Sequence, residues 1–224
     1  VGPHQAYHGI NCGGLSVGGS GLNKGHFGTL HPDAKHMRHT HLLDRNAFSR
    51  GQPEHGDFLA DDLEEICQTY GGHVVAACIV EPVAGAGGVF PPPKGYLQRL
   101  RDSCDRHGIL LIFDEVISGF GRLGTAFGYQ KFGVTPDLMT AAKGITNATV
   151  PLGGVFTTGA VREAFLSGPP TMPDLFHGYT YSGHPLACAA AIATADLYRD
   201  EGIFENADAM SGPWEDMLHS LSDL

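Results

Sequence analysis

Ile109-Leu-Leu-Ile-Phe-Asp-Glu115 joins five apolar residues directly to two carboxylates. The run follows the turn signal His107-Gly108, and a continuous apolar segment of this length predicts a strand that is buried on both faces. Such strands are typical of parallel sheets that helices cover on both sides. The stretch therefore predicts an α/β fold, with two ionisable side chains where a buried strand ends.

The segments on either side continue the alternation of helix and strand. Val74–Val80 predicts another buried strand, and Tyr96–Arg106 predicts the helix between the two strands. The other predicted elements are a helix over Asp57–Tyr70 capped by Asp61 or Asp62, strands over Leu138–Ala142 and Gly153–Thr158, a buried helix over Leu186–Arg199 and a helical end over Glu201–Leu224. The first third, to about Glu54, is rich in Gly and His and predicts loops and short helices. We expect a mostly parallel sheet with helices on both faces.

The composition excludes several classes of partner. The 224 residues include 14 Lys and Arg against 24 Asp and Glu, a net charge of −10, which disfavours binding to nucleic acid or to an anionic membrane surface. The apolar runs are far shorter than the roughly 18 residues that predict a membrane span. Five cysteines without a Cys-x-x-Cys pair indicate free thiols, and we expect a reducing, cytoplasmic location.

Three predicted strands are each followed closely by an ionisable side chain: Glu81, Asp114 and Lys143. The carboxyl ends of parallel strands meet at one edge of a sheet, where ligands bind, so these groups are expected to lie close together. Each alone is more often a solvated strand end. Lys143 has the small neighbours Ala142 and Gly144, and desolvation there favours the neutral amine that Schiff-base chemistry requires. An amine and a carboxylate for a cationic ring nitrogen are what pyridoxal phosphate needs from a protein.

Three longer stretches carry a family resemblance. Asp114-Glu-Val-Ile-Ser-Gly-Phe-Gly-Arg122, Thr135-Pro-Asp-Leu-Met-Thr-Ala-Ala-Lys-Gly144 and His177-Gly-Tyr-Thr-Tyr-Ser-Gly-His-Pro185 closely resemble the class III pyridoxal phosphate aminotransferases. Tyr7-His-Gly9 and Phe48-Ser-Arg-Gly-Gln-Pro-Glu-His-Gly56 are similar to the omega-amino acid:pyruvate, or beta-alanine:pyruvate, branch. The resemblance runs through nearly all of the chain and implies the large domain of a fold-type I enzyme.

The resemblance implies a role for each residue that matches the family pattern. Lys143 is the lysine that binds the cofactor aldehyde covalently and later moves a proton between substrate and cofactor. Asp114 pairs with the pyridine nitrogen and keeps it protonated, so that the ring accepts electrons. Val116 matches the apolar residue on one face of the ring, and Tyr7 matches the aromatic residue stacked on the other.

The remaining implied contacts surround this centre. His8 and Gly9 belong to the cofactor-binding motif with Tyr7, and Glu81 matches a glutamate that positions groups near the cofactor. Thr180 matches the residue that reaches the cofactor phosphate of the neighbouring subunit, which implies a homodimer, with further pairing into a tetramer left open. No metal is implied.

The implied activity is a two-stage, ping-pong transamination from an omega-amino acid or primary amine to a keto acid, with pyruvate as the expected acceptor. Other class III activities remain open: a gamma-aminobutyrate or acetylornithine transaminase, an aminomutase or a decarboxylase. The family is about twice as long as this chain. Residues 1–224 are therefore expected to be the central part of the cofactor-binding large domain, without its N-terminal segment and its C-terminal small domain.

Two other interpretations come from shorter patterns. Gly119-Phe-Gly-Arg-Leu-Gly124 is a literal Gly-x-Gly-x-x-Gly motif, which leaves a nicotinamide-dependent oxidoreductase as an alternative. A dinucleotide-binding turn opens a helix directly, whereas Thr125-Ala-Phe-Gly128 follows here, so the context disfavours a dinucleotide site.

The histidines at 31, 36, 39 and 41 lack acidic or cysteine partners at recognisable spacing, and we expect no metal site. A chain that only forms subunit contacts is the non-enzymatic alternative.

Overall fold

The element order follows the predicted alternation of helix and strand. The computed structural model describes residues 1–27, 30–171 and 175–223. Its strands are β1 (Gly2–Pro3), β2 (His36–Met37), β3 (Ala77–Val80), β4 (Leu110–Asp114), β5 (Leu138–Ala141) and β6 (Gly154–Thr157). Its α-helices are α1 (Cys12–Val17), α2 (Gly21–Phe27), α3 (Leu43–Asn46), α4 (Asp61–Tyr70), α5 (Tyr96–His107), α6 (Gly128–Phe132), α7 (Gly159–Leu166), α8 (Pro185–Asp200) and α9 (Ile203–Ser220). Short 3-10 helices span Asp57–Ala60, Gly72–Val74, Lys143–Thr146 and Leu221–Asp223.

The main sheet has the strand order β3-β4-β5-β6. β3, β4 and β5 are parallel, with Val80 beside Phe113 and Asp114 beside Thr140, whereas β6 runs antiparallel to β5. β1 and β2 form a separate parallel pair. The mostly parallel α/β sheet is therefore as predicted, and the carboxyl ends of three neighbouring strands lie at one edge.

The core lies on one face of this sheet. Alternate strand residues point to opposite faces, and Cys78, Val80, Leu111 and Phe113 are almost fully buried against α4 and α5. The burial of Val80, Leu111 and Phe113 contributes about 1.5–3 kcal/mol for each side chain. On the other face, α1 and the loop 31–35 border a groove of about 950 Å³ that Ala77, Ile79 and Ile112 also line. Asp114 belongs to this second, more open face because it follows Phe113.

Two local details differ from the prediction around α4. β3 begins only at Ala77, because the backbone N–H groups of Val74 and Val75 donate to Gly71 and Gly72 and close a 3-10 turn. Neither Asp61 nor Asp62 caps α4: the preceding 3-10 helix runs straight into it, and Ala60 occupies the cap position. The carboxylate of Asp62 instead accepts hydrogen bonds from the backbone N–H and the guanidinium of Arg38.

The predicted helix near the C-terminal end forms, but its predicted burial is wrong. Of the residues of α8, only Ala187 and Thr194 are buried, and Leu186, Ile192 and Leu197 are 61%, 65% and 51% exposed. Within the described residues, α8 makes its main contacts with the turn Lys143–Thr146 and with α9. Those two elements cover a narrow strip, so the alanine-rich surface of α8 stays accessible.

Glu64 on α4 makes the stability of the fold depend on acidity. Partial burial raises the pKa of this carboxyl, but hydrogen bonds from His107, Arg106 and Ser103 outweigh that effect and lower the pKa from 4.5 to about 2. A lowered pKa means that the carboxylate stabilises the fold above pH 4.5 and that this contribution is lost as the pH falls through about 2.

We expect the Glu64→Gln variant to be less stable than the wild type by about 1 kcal/mol at neutral pH, a value reduced for solvent screening. The difference should shrink towards zero between pH 4.5 and about 2, as urea unfolding at several pH values would measure. The control is Glu65→Gln, because Glu65 is exposed on the same helix and forms no ion pair within the described residues. A pH-independent difference for Glu64→Gln would contradict the assignment.

Candidate active site

The structure brings three predicted site residues to one edge of the sheet. Glu81 directly follows β3, Asp114 ends β4, and Lys143 begins the 3-10 turn after β5. The register pairs Asp114 with Thr140, three residues before Lys143. The carboxylates and the amine are therefore presented by neighbouring parallel strands, as the positions of the strand ends predict.

Asp114 is 8% exposed, and each of its two carboxylate oxygens already accepts a hydrogen bond. Oδ2 lies 2.8 Å from Nδ1 of His8, and Oδ1 accepts the backbone N–H of Val116 at 3.2 Å. A carboxylate offers about four lone-pair positions, so these contacts leave room for a further N–H donor. Val116 itself is half-buried, two residues beyond the strand end.

Lys143 has an unusual backbone and an accessible amine. Its φ of 44° lies in the left-handed region, which side chains other than glycine rarely adopt. The side chain is exposed and borders a groove of about 600 Å³, so the predicted desolvation is wrong for the described structure. At Gly144 a Cβ would lie 2.6 Å from Cβ of Phe120, and the Gly144 carbonyl accepts the hydroxyl of Tyr198 at 2.7 Å. These contacts fix the turn that carries Lys143.

Glu81 ties the Tyr7-His8-Gly9 segment to the sheet. Its Oε1 accepts the backbone N–H of Tyr7 at 3.1 Å, and its Oε2 accepts that of Gly85 at 2.7 Å. Gly9 has a φ of 98° and turns the chain towards α1. Tyr7 is 40% exposed, which leaves its side chain accessible for stacking. Glu81 thus holds two loops through their backbones.

Thr180 lies apart from this cluster. It is exposed in the stretch 175–186, and within the described residues it makes no hydrogen bond to Asp114 or Lys143. Its neighbours Tyr179 and Tyr181 are 74% and 79% exposed. The chain itself therefore assembles the strand-end residues but not Thr180.

Glu115 has a positioning role that the sequence reasoning missed. It is fully buried, its Oε2 accepts the hydroxyl of Ser118 at 2.5 Å and the N–H of Gly128 at 2.8 Å, and its Oε1 accepts the N–H of Tyr129 at 2.9 Å. The carboxylate thereby closes the loop between β4 and α6. The available signal was the second acid of Asp114-Glu115, because a carboxylate at the end of a buried strand needs several donors.

Glu115→Gln is expected to destabilise the fold by about 2–3 kcal/mol, since the amide NH₂ replaces an oxygen that accepts hydrogen bonds and leaves a buried donor unpaired. The free energy of unfolding in urea would measure the loss. Exposed Glu201→Gln is the matched control and should change stability by less than about 0.5 kcal/mol. Equal effects of the two substitutions would count against the role of Glu115.

The glycine motif at 119–124 packs against a helix. Gly121 and Gly124 have φ values of 89° and 79°, and a Cβ at these positions would lie 2.4 Å from the ring of Phe204 and 2.6 Å from Cβ of Asp208. The next helix begins only at Gly128. These glycines therefore allow tight turns and close packing against α9. This structural role removes the main support for a dinucleotide site.

The histidine-rich segment forms ring contacts. His41 stacks on Phe90 with centroids 4.2 Å apart, and His39 meets the same ring edge-on at 5.0 Å. Across residues 1–27, 30–171 and 175–223, no group of three or more His, Cys, Asp or Glu side chains is placed to hold a metal ion. None of the helices in that part of the chain combines the length and apolar character needed to cross a membrane.

Comparison with known proteins gives one consistent result. A family model described as aminotransferase class-III matches residues 1–224. An omega-aminotransferase from Caulobacter vibrioides is 53% identical over 223 residues, which is 100% of this chain and 51% of that relative. A beta-alanine–pyruvate aminotransferase from Pseudomonas aeruginosa is 45% identical over 224 residues, which is 99% of this chain and 50% of that relative.

A solved structure agrees with these relatives. An amine transaminase from an uncultivated Pseudomonas species, determined in its pyridoxal phosphate-bound form, is 40% identical with a TM-score of 0.90, covering 99% of this chain and 50% of that one. The chain thus spans about half the length of the curated relatives that it matches.

Proposed function

Because the chain belongs to the class III aminotransferases, we propose that its protein moves an amino group from an omega-amino acid or primary amine to a keto acid, with pyruvate as the acceptor. The observation that carries the proposal is the placement of the Asp114 carboxylate and the Lys143 amine at neighbouring strand ends. The names of the relatives from Caulobacter and Pseudomonas support the substrate class.

Class III aminotransferases are fold-type I enzymes that depend on pyridoxal phosphate, so the predicted fold class and cofactor are confirmed. The residues present fit this group. Asp114 can accept one more N–H, and two buried polar atoms near it, Nε2 of His8 and Oγ1 of Thr140, have no hydrogen-bond partner within the described residues. When bound, the cofactor supplies an aldehyde carbon for the amino group and an electron-withdrawing ring.

Lys143 and Asp114 carry the chemistry in this proposal. Nζ of Lys143 would hold the cofactor covalently, and the same amine would serve as the base that moves the proton of the substrate carbon. The Asp114 carboxylate would accept the N–H of the cofactor's ring nitrogen, and its negative charge would favour the protonated, electron-poor ring. Tyr7 and Val116 would cover the two faces of the bound ring and exclude water from them.

The surrounding residues hold these groups in place. Glu81 fixes the backbone at Tyr7, and the positive φ of Gly9 turns the chain towards α1. His8 contacts Asp114 directly. Glu81 and His8 therefore hold Tyr7 and Asp114, the groups that would contact the cofactor.

The proposed assembly is a homodimer in which Thr180 reaches the neighbouring subunit's cofactor phosphate. It is supported by the exposed apolar side chains beside Thr180, among them Phe176 at 89% exposure and Leu186 at 61%. We propose a cytoplasmic location, which the five free thiols, three of them buried, support. Cell fractionation with an antibody against the protein would test the location.

The test of function uses the full-length protein with pyridoxal phosphate, beta-alanine and pyruvate. Formation of alanine at the donor's expense supports transamination. A different product, such as carbon dioxide or a rearranged amine, would assign the protein to a decarboxylase or aminomutase.

Borohydride reduction followed by peptide mass spectrometry should label Lys143 and leave the other lysines, at 24, 35, 94 and 131, unmodified. Label on another lysine, or none, would overturn the assignment.

A further inference from the structure

A tight turn at residues 84–90, named loop 84–90 below, follows Glu81 beside the proposed active site. The backbones of Ala84 and Phe90 exchange two hydrogen bonds of 3.0 and 2.9 Å, which bring the two ends of the loop together. Val89 has a φ of 60°, in the left-handed region that a β-branched residue rarely adopts. A backbone strained in this way persists only where its surroundings hold it. The contacts around loop 84–90 therefore maintain its conformation.

Two histidine rings hold the loop from outside. His41 stacks on the Phe90 ring with centroids 4.2 Å apart, and His39 meets the same ring edge-on at 5.0 Å. A Cβ at Gly87 would lie 3.3 Å from the buried Nε2 of His39, so the imidazole is also close to the backbone of the loop there. His39 thus supports the loop at two separate points.

Glu81 connects the loop to the proposed active site. Its Oε2 accepts the N–H of Gly85 at 2.7 Å, and its Oε1 accepts the N–H of Tyr7 at 3.1 Å. Movement of loop 84–90 would remove one of these two donors and free the carboxylate to rotate. The position of Tyr7 is therefore coupled to the docking of the loop.

The docked loop requires a neutral ring at His39. The backbone N–H of His41 donates to Nδ1 of His39 at 3.0 Å, so Nδ1 presents a lone pair and the ring proton lies on Nε2. A second proton on Nδ1 would face the His41 N–H, one donor against another. A positively charged His39 can therefore not keep this contact.

The charges around His39 also favour the neutral ring. Burial lowers the pKa of its imidazole below 6.5, and the neighbouring histidines His41 and His4 lower the pKa further. Glu81 and Tyr96 line the small cavity beside His39. The Glu81 carboxylate already accepts two backbone N–H groups, and burial raises the pKa of the Tyr96 hydroxyl, which stays neutral. Neither group therefore stabilises an imidazolium at this position.

We propose that His39 is a positioning residue: its neutral imidazole docks loop 84–90 and thereby holds the contact between Glu81 and Tyr7, and protonation of Nδ1 releases the loop. Because the docked state holds the neutral ring, docking has its full strength above pH 6.5 and weakens as the pH falls below that value. The consequence for the cofactor rests on the proposed function, whereas the docking of the loop does not.

Hydrogen exchange of the full-length protein tests the docking without added cofactor. A peptide covering residues 84–90 reports loop opening, because five of its backbone N–H groups are hydrogen-bonded: those of Ala84, Gly85, Gly88, Val89 and Phe90. After correction for intrinsic exchange rates, protection should fall about three- to tenfold from about pH 7.5 to about pH 5.5. About tenfold is the upper limit, since a released imidazole is about 90% protonated at the lower pH. Peptides from α5 should not share this step.

Substitutions identify the group that titrates. His39→Asn offers an oxygen to the N–H of His41, and His39→Phe keeps an aromatic ring against Phe90, but neither side chain titrates. Both variants should lose the pH step in loop protection. His41→Phe is the matched control, because it removes the neighbouring imidazole and should keep the step. The proposal is wrong if the wild type shows no step, if the step survives in folded His39→Asn and His39→Phe, or if it disappears in His41→Phe.

Equilibrium dialysis with pyridoxal phosphate tests the consequence for the site. From about pH 7.5 to about pH 5.5, the Kd of the wild type should rise at least about threefold relative to that of His39→Asn. Comparing the two proteins cancels the titration of the cofactor itself. The same pH dependence in both proteins, with a loop that opens in the wild type, would refute the coupling to Tyr7. If the wild type binds no pyridoxal phosphate at either pH, the proposed function fails, and hydrogen exchange alone decides the role of His39.

Discussion

Replacing Lys143 by alanine is expected to lower kcat/KM by at least about 10³-fold, within the range that a positioned proton-transfer group contributes. In the proposed mechanism Lys143 is both the amine that binds the cofactor and the base that moves the substrate proton, and the variant lacks both. Because the Lys143 side chain is exposed and makes no ion pair within the described residues, its removal should leave the fold intact. The loss would therefore be catalytic rather than structural.

Initial rates of alanine formation and a thermal unfolding curve, measured on the same preparation, would check this expectation. The control is Lys94→Ala, since the Lys94 side chain is 57% exposed and, within the described residues, its amine pairs only with Glu54. That variant should retain its rate within about twofold and its stability within about 1 kcal/mol. Near wild-type turnover by Lys143→Ala would exclude the proposed mechanism.

Asp114→Asn should lower kcat by about 10²–10³-fold, as the loss of other preorganised electrostatic partners does. Asparagine keeps the shape of the side chain and can still accept the N–H of Val116, but it carries no negative charge for a protonated ring nitrogen. A fall smaller than tenfold, about 1.4 kcal/mol, would count against the pairing. Single-turnover reaction with beta-alanine isolates the step that needs the electron-poor ring.

A matched substitution shows whether the loss of rate is specific to the Asp114 carboxylate. Asp44→Asn removes one carboxylate from exposed helix α3 and should change the single-turnover rate by less than about twofold. Added pyridoxal phosphate distinguishes weak cofactor binding from a slow reaction, because saturation restores the rate only in the first case. Restoration to the wild-type rate by excess cofactor would show that Asp114 acts in binding alone.

The strand ends were predictable because they depend on local pattern. Buried parallel strands appear as continuous apolar runs, and the topology then places Glu81 and Asp114 at one edge without further information. Family motifs added roles for single positions such as Lys143. The pattern could not give the length of β3, since the competing turn depends on backbone hydrogen bonds around Gly71 and Gly72.

The contacts within the site were not predictable in the same way. His8 meets Asp114 across 106 positions in the chain, and no periodicity links residues so far apart. Glu115 is satisfied by the backbone of Gly128 and Tyr129, whose approach depends on the path of the loop. The exposure of α8 depends on which elements cover it, and an alanine-rich sequence does not specify its partners.

The left-handed backbone of Lys143 has a consequence for any attempt to improve the protein. Holding a residue with a side chain at φ 44° costs of order 1–3 kcal/mol, which glycine would relieve. Selection for thermal resistance alone would thus reward replacement of the one lysine on which the proposed chemistry depends. Stability and activity are in direct conflict at this position, and a screen that monitors only heat tolerance would enrich inactive protein.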